Sequence, residues 1–415
     1  MQQPASFFSR RRAAALATPI LLAATLVACS PSPQPEGVDE AGPAPGPASP
    51  PEETTAMNAQ DHSWPTFRGG VARLGTAKLE SAAFREAPRR LWRFDAGGTV
   101  ESSPTLWRDL VLVGSFDGRL FAVERASGEL RWQKKTGGLV RASPSVANGA
   151  VYFGSDDDFF YALEAASGEE LWRYALGPGG QQSSAAIDDG TVYFGAFDRH
   201  VYALDAASGE LRWRTETGGG ILSSPAVADG RVLIGSMDGA LHALDAATGE
   251  RLWRFDGQDG APVFASPTVA GSAVYIGSFD DHLYALDASS GEEKWRLRTG
   301  GDVFSTAAFW NGRLYFGADD GLRAVDAASG EVLWHRPRGG RILASPAVLP
   351  ESEMLIVGTS TEGVLAYSLA GELLYAIPAA DKVWSSVAVA DDGSLYFGSH
   401  HGFLEAYGPA EAAGE

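Results

Sequence analysis

The chain is 415 residues long, with 45% hydrophobic residues, 50 glycines and a formal net charge of −19 at pH 7. That apolar content fills a large core, and so acidic a surface disfavours nucleic acid as a partner. The one cysteine, Cys29, excludes an internal disulfide.

Residues 1–29 read as a signal peptide for export, with Arg10, Arg11 and Arg12 ahead of an apolar run over 13–28. The run, interrupted by Thr18, Pro19 and Thr25, falls short of the roughly 20 apolar residues that span a membrane. It closes on Leu26-Val27-Ala28-Cys29, which resembles the lipobox of bacterial lipoproteins. That resemblance implies lipid attachment at Cys29, and two or more acyl chains hold a soluble domain on a membrane. Ser30, where an aspartate is associated with inner-membrane retention, points to the periplasmic side of the outer membrane. Residues 30–62 hold eight prolines among Gly, Ser, Ala and Glu, the composition of a disordered Pro-rich tether. Residues 64–75, WPTFRGGVARLG, are expected to pack against the closure of the domain that follows.

From there the chain repeats. VYALDAASGELRW at 201–213 has relatives at 120–132, 160–172, 241–253, 283–295 and 322–334, and a shorter copy ends at Tyr375. With an isolated copy of the ending at 91–94, the closing residues are Trp92, Trp132, Trp172, Trp213, Trp253, Trp295, Trp334 and Tyr375. They are spaced by 39 to 42 residues. A fixed period near 40 marks a repeat architecture. Each period holds four short apolar runs separated by turn residues such as Asn148-Gly149 and Ser167-Gly168, the pattern of four strands joined by hairpins. One such sheet cannot bury both faces alone, and radial stacking leaves only short, protected edges. The prediction is therefore all-β, a single eight-bladed β-propeller of four-stranded antiparallel blades over 63–409, with a tail at 410–415. Because the repeats begin with a fourth strand and end with a third, the N-terminal strand at 91–94 is expected to complete the last blade.

Within the motif, glycine supplies the positive φ of a turn, the aspartates Asp205, Asp245, Asp287 and Asp326 accept turn amides, and the tryptophans bridge neighbouring sheets. The second hairpins carry Asp117, Asp156 to Asp158, Asp198, Asp238, Asp280-Asp281 and Asp319-Asp320. These suit Asp-Gly turns, and a ring of them could also bind calcium. Two units depart from the pattern, the fifth in a longer entry loop (256–262) and the seventh in a longer first hairpin (349–354).

The repeat ALDAASGExxW resembles the quinoprotein-type, or PQQ-like, propeller repeat, and WPTFRG at 64–69 looks like the start of many such domains. The resemblance implies either pyrroloquinoline-quinone-dependent dehydrogenases or non-enzymatic scaffolds such as the BamB-type lipoprotein of outer-membrane barrel assembly. The dehydrogenases hold calcium with carboxylate and asparagine oxygens and often carry a cysteine pair. Here no cysteine follows Cys29, and the asparagines are Asn58 in the tether and Asn148 and Asn311 in hairpin turns. His242, His282, His400 and His401 do not fall at metal-ligand spacing. No catalytic, cofactor-binding or metal-binding residues are assigned. The expected function is a non-enzymatic, membrane-anchored scaffold for protein or peptide partners, with a quinoprotein dehydrogenase or a surface ligand-binding module as alternatives.

The candidate partner-binding residues precede a recurring serine pair in each inner strand: Glu101, Arg141, Gln182, Leu222, Phe264, Phe304, Leu343 and Trp384. The residues one step earlier, Val100, Val140, Gln181, Ile221, Val263, Val303, Ile342 and Val383, are nearly uniform. Side chains alternate along a strand, so the two series point opposite ways. The uniform series suits packing between blades, and the varied one suits the channel mouth, polar over blades one to three and apolar over four to eight. The competing reading places the varied series in the core as well.

Overall fold

The structure, a computed structural model, describes residues 64, 66–77, 86–338 and 340–409. These fall within the compact unit 51–415. The segments expected to form a signal peptide with Cys29, a tether at 30–62 and a tail at 410–415 lie outside the described residues. Among those described, no helix is long and apolar enough to cross a membrane.

Each repeat folds alike for local reasons. In the second blade the chain reverses at Asn148-Gly149 (φ 51° and 77°), at Asp158 (φ 65°) and at Gly168 (φ 75°). These residues adopt the left-handed conformation more readily than most. Between the turns run Ser145–Ala147, Ala150–Gly154, Phe159–Glu164 and Glu170–Ala175, paired antiparallel in that order. The middle two strands are almost wholly buried, while the outer strand alternates exposed and half-buried residues. The described residues make eight such four-stranded sheets, an all-β eight-bladed propeller. The irregularities of the fifth and seventh units are short 3₁₀ turns, Gln258–Gly260 and Pro350–Ser352.

The eighth blade is assembled from both ends of the repeat region. Ala388–Val389, Leu395–Gly398 and Phe403–Gly408 are completed by Arg89–Asp95, antiparallel to Phe403–Gly408. An ion pair fastens this seam: the Arg93 guanidinium stands 2.6 Å from the carboxylate of Glu405, whose side chain is 1% exposed, and it also covers the ring of Phe403.

Every outer strand contains a bulge at the residue before its closing aromatic, as between Ala203/Leu204 and Trp213/Leu211. The extra residue turns outward, which accounts for exposed Leu91, Leu171, Leu252, Leu333 and Leu374. Bulges also twist an unpaired edge away from intermolecular pairing.

The conserved ending of the repeat is a lock between blades. Trp213 Nε1 donates to Ala246 O (2.9 Å) in the next blade, and the same bond joins Trp92 to Arg125, Trp132 to Ala165, Trp172 to Ala206, Trp253 to Ala288, Trp295 to Ala327 and Trp334 to Leu369. Each ring packs on the hairpin glycine of the next blade. A Cβ on Gly209, for example, would lie 2.6 Å from Trp172. Tyr375 is the exception, and the topology explains it. Its neighbour is the eighth blade, where the third and fourth strands come from opposite ends of the repeat region and no hairpin joins them. Without that glycine and carbonyl, its buried hydroxyl has no hydrogen-bond partner among the described residues.

Candidate functional site: the channel mouth

The inner strands line the central channel, and three levels follow one another along them. At the middle level the second residue of each serine pair forms a closed belt. The amide of Ser103 donates to Ser143 Oγ (2.9 Å), and the relay continues through Ser184, Ser224, Ser266, Thr306, Ser345 and Ser386. Ser386 N then donates back to Ser103 Oγ (2.9 Å). The first serine serves its own blade: Ser102, Ser183, Ser223, Ser305 and Ser385 each accept the amide of the second-strand glycine. The repeated serines thus satisfy backbone donors that the short inner strands leave over.

Below the belt, residue 64 and residues 66–77 cross the channel as a strap. Its carbonyls at Trp64, Val71, Ala72, Leu74 and Gly75 accept the amides of Leu106, Val227, Val269, Phe309 and Val348 from five different blades. Arg68 and Arg73, 2% and 0% exposed, meet no carboxylate there among the described residues. Arg68 donates to Pro346 O (2.8 Å) and Ala307 O (2.9 Å), and Arg73 to Pro225 O (3.0 Å), Ser184 O (3.2 Å) and Ala185 O (3.0 Å). Desolvation pulls both guanidinium pKa values down to about 9, with Arg73 contributing for Arg68, so both remain cations at neutral pH. Carbonyl dipoles converging from opposite sides of the ring stabilise these charges. The sequence assigned this segment to the ring closure. Trp64 and Ala77 do pack with the closing blades, but the residues between them stopper the channel.

Above the belt lies the mouth, where the two alternating series separate. Val100, Val140, Gln181, Ile221, Val263, Val303, Ile342 and Val383 are all buried. Each packs against a second-strand glycine of the preceding blade, as Val140 does on Gly114. Glu101, Arg141, Gln182, Leu222, Phe264, Phe304 and Trp384 are half-buried at the rim, and Leu343 is buried. Phe264 and Phe304 stand 6.1 Å apart with Phe279 against both. The Trp384 ring meets His400 at 4.1 Å and donates to Ser360 Oγ, and His400 Nε2 lies 3.3 Å from Glu101.

The sequence reading missed a second ring at this level, the residues that follow the small residue after each second-strand glycine. They are Phe116, Asp156, Phe197, Met237, Phe279, Asp319, Ser360 and His400, all half-buried. The signal was their fixed place after the Gly-Ser, Gly-Ala or Gly-Thr step. Arg141 pairs with Asp156 (2.8 Å) and covers the Phe116 ring, while Arg341 pairs with Asp319 (2.7 Å) and Asp302 (3.3 Å). Burial raises the carboxyl pKa values of Glu101 and Asp156. Burial, followed by the charge of Asp319, raises Asp302 to about 6.

The next aspartates along the hairpins have structural work. Asp157, Asp198 and Asp280 accept both an entry-loop amide (from Gly137, Gly177 and Gln258) and a tyrosine hydroxyl (from Tyr161, Tyr202 and Tyr284). In the fourth blade buried His242 replaces the tyrosine on Asp238. Among the described residues, no group of three or more His, Cys, Asp or Glu stands close enough to hold a metal ion.

These levels define a quinoprotein-type repeat propeller with a stoppered channel and one mixed apolar and charged mouth. Residues 82–195, 161–268 and 260–407 match the family model for outer membrane protein assembly factor BamB, and the chain belongs to that family. Among solved structures, BamB from Moraxella catarrhalis superposes with a TM-score of 0.66 at 18% identity, over 78% of this chain and 100% of that one. The computationally designed Ika8 protein gives 0.67 at 18%, over 77% and 99%. A quinohemoprotein alcohol dehydrogenase from Comamonas testosteroni gives 0.73 at 15%, over 87% and 83%. At such identities the likeness establishes the fold. No curated protein matches the chain.

Proposed function

We propose that the protein is a non-enzymatic scaffold, held at the outer membrane by a lipid on Cys29, that binds protein or peptide partners at the propeller mouth during β-barrel protein assembly. The observation that carries this reading is the mouth itself, a rim of half-exposed aromatic, aliphatic and charged side chains over a stoppered channel. Clustered aromatics beside charged groups are the composition of interface hot spots. The likeness to a dehydrogenase is one of fold, and fold alone does not carry chemistry. Asn148 and Asn311 occupy hairpins between first and second strands, at the end opposite the mouth.

In-membrane crosslinking tests the reading. Replacing Phe264, Phe304 and Trp384 together by Ser is expected to remove partner crosslinks while the melting temperature stays nearly constant. A large stability loss instead assigns those residues to the core. Calorimetric titration with pyrroloquinoline quinone and calcium is expected to show no tight binding, and micromolar or tighter quinone binding would favour the enzyme.

A further inference from the structure

The second-hairpin ring has a pattern beyond general stickiness. Its two aspartates, Asp156 in blade two and Asp319 in blade six, stand four blades apart, on opposite sides of an eight-bladed ring. On one arc between them the same repeat position holds only apolar side chains, Phe197, Met237 and Phe279, all half-buried. The charge at each end of that arc is under-neutralised. Asp319 and Asp302 share Arg341, and Asp156 binds Arg141, whose charge also acts on Glu101. Four carboxylates thus face two arginines. Asp156 and Asp319 each keep one buried carboxylate oxygen without a hydrogen-bond partner among the described residues, while their side chains remain 22% and 25% exposed at the rim.

Resting on the scaffold reading above, we propose that the mouth takes an extended peptide segment lying along this arc, with a basic side chain at each end and apolar side chains between. The apolar stretch covers Phe197, Met237 and Phe279, and the two cations reach Asp156 and Asp319. An acidic or neutral segment of equal hydrophobicity gains only the apolar part. Complementarity of this kind sets selectivity and salt dependence more than raw affinity.

The test uses two synthetic peptides of equal length with the same Leu/Phe centre, one with lysine at both ends and one with glutamate, read by fluorescence anisotropy against the full chain. The lysine peptide is expected to bind at least about tenfold tighter, with the gap shrinking as salt rises. In the Asp156→Asn/Asp319→Asn double variant the gap closes to about twofold or less, while the shared apolar affinity persists. Met237→Lys, which puts a cation inside the arc, is expected to narrow the gap at low salt, and it keeps the test open if the double variant misfolds. Glu210→Gln, in a hairpin at the far end, leaves the preference intact. Equal binding of the two peptides, or a preference left undiminished by both the double variant and Met237→Lys, overturns the proposal. If the peptides bind equally while Phe264, Phe304 and Trp384 still prove necessary for partner crosslinks, the scaffold reading stands and the charge assignment alone falls.

Discussion

The indole of Trp213 lies so close to Gly249 of the next blade that a methyl group on that glycine would sit 2.6 Å from the ring. Position 249 also has a φ of 75°, so any side chain there is strained as well as crowded. Trp213→Ala is expected to cost about 3–5 kcal/mol and Gly249→Ala about 1–3 kcal/mol. Tyr375→Ala should cost clearly less than the tryptophan change, because the seam offers Tyr375 neither the glycine nor the carbonyl. Urea denaturation of the three variants measures the order, and equal losses at Trp213 and Tyr375 would show that the lock adds nothing beyond aromatic bulk.

The hydroxyl belt predicts a chemical rather than a volumetric requirement. Ser224→Ala leaves the buried amide of Ser184 without its acceptor, a loss of about 1–3 kcal/mol. Ser224→Thr should be tolerated, since Thr306 fills the equivalent place in blade six. Thermal melts that rank alanine above threonine in stability would refute this role.

At the seam, Glu405→Gln weakens the charge-assisted bond to Arg93 and should destabilise the fold by about 1.5–3 kcal/mol. Deleting 63–95 removes both the strap and the last outer strand and is expected to abolish cooperative unfolding, whereas deleting 31–60 leaves the melting temperature unchanged. A 63–95 deletion as stable as the parent would contradict the closure.

Asp302 provides a pH signature. Its carboxyl is raised to about 6 by burial and by Asp319, with Asp281 and Asp280 adding to the rise and Arg341 opposing it. The folded state therefore holds this proton more tightly than the unfolded chain does. That contribution is favourable at low pH and is lost as pH rises through about 6. Relative to Asp302→Asn, the parent should gain stability between pH 7.5 and pH 5. Parallel denaturation curves for the two proteins at both pH values check the sign.

Cys29→Ala is expected to leave unprocessed precursor or to release the protein into the soluble fraction. Normal processing and membrane retention of that variant would exclude the lipid anchor.

The blade count and the seam were legible in the sequence because the period fixes both: Trp92 stands one repeat before Trp132 with no third strand ahead of it. The alternation between Val140 and Arg141 was equally readable, since a strand has two faces. The strap was not. Arg68 and Arg73 look like surface residues in a loop, and only the assembled ring provides carbonyls from blades far apart in sequence. The serine pairs were visible as a signature, but their role needs neighbouring blades about 40 residues away, as Ser103 and Ser143 are. At the rim the varied inner-strand series stood out, while the ring of Phe197, Met237 and Phe279 was overlooked among turn residues.

The arginine strap has a consequence for traffic. With one end stoppered, the cavity is a cul-de-sac and not a conduit: nothing is threaded through it, and a guest must depart by the door it entered. Two guests reaching for the same rim therefore exclude each other, and a resident segment must let go before a newcomer can settle.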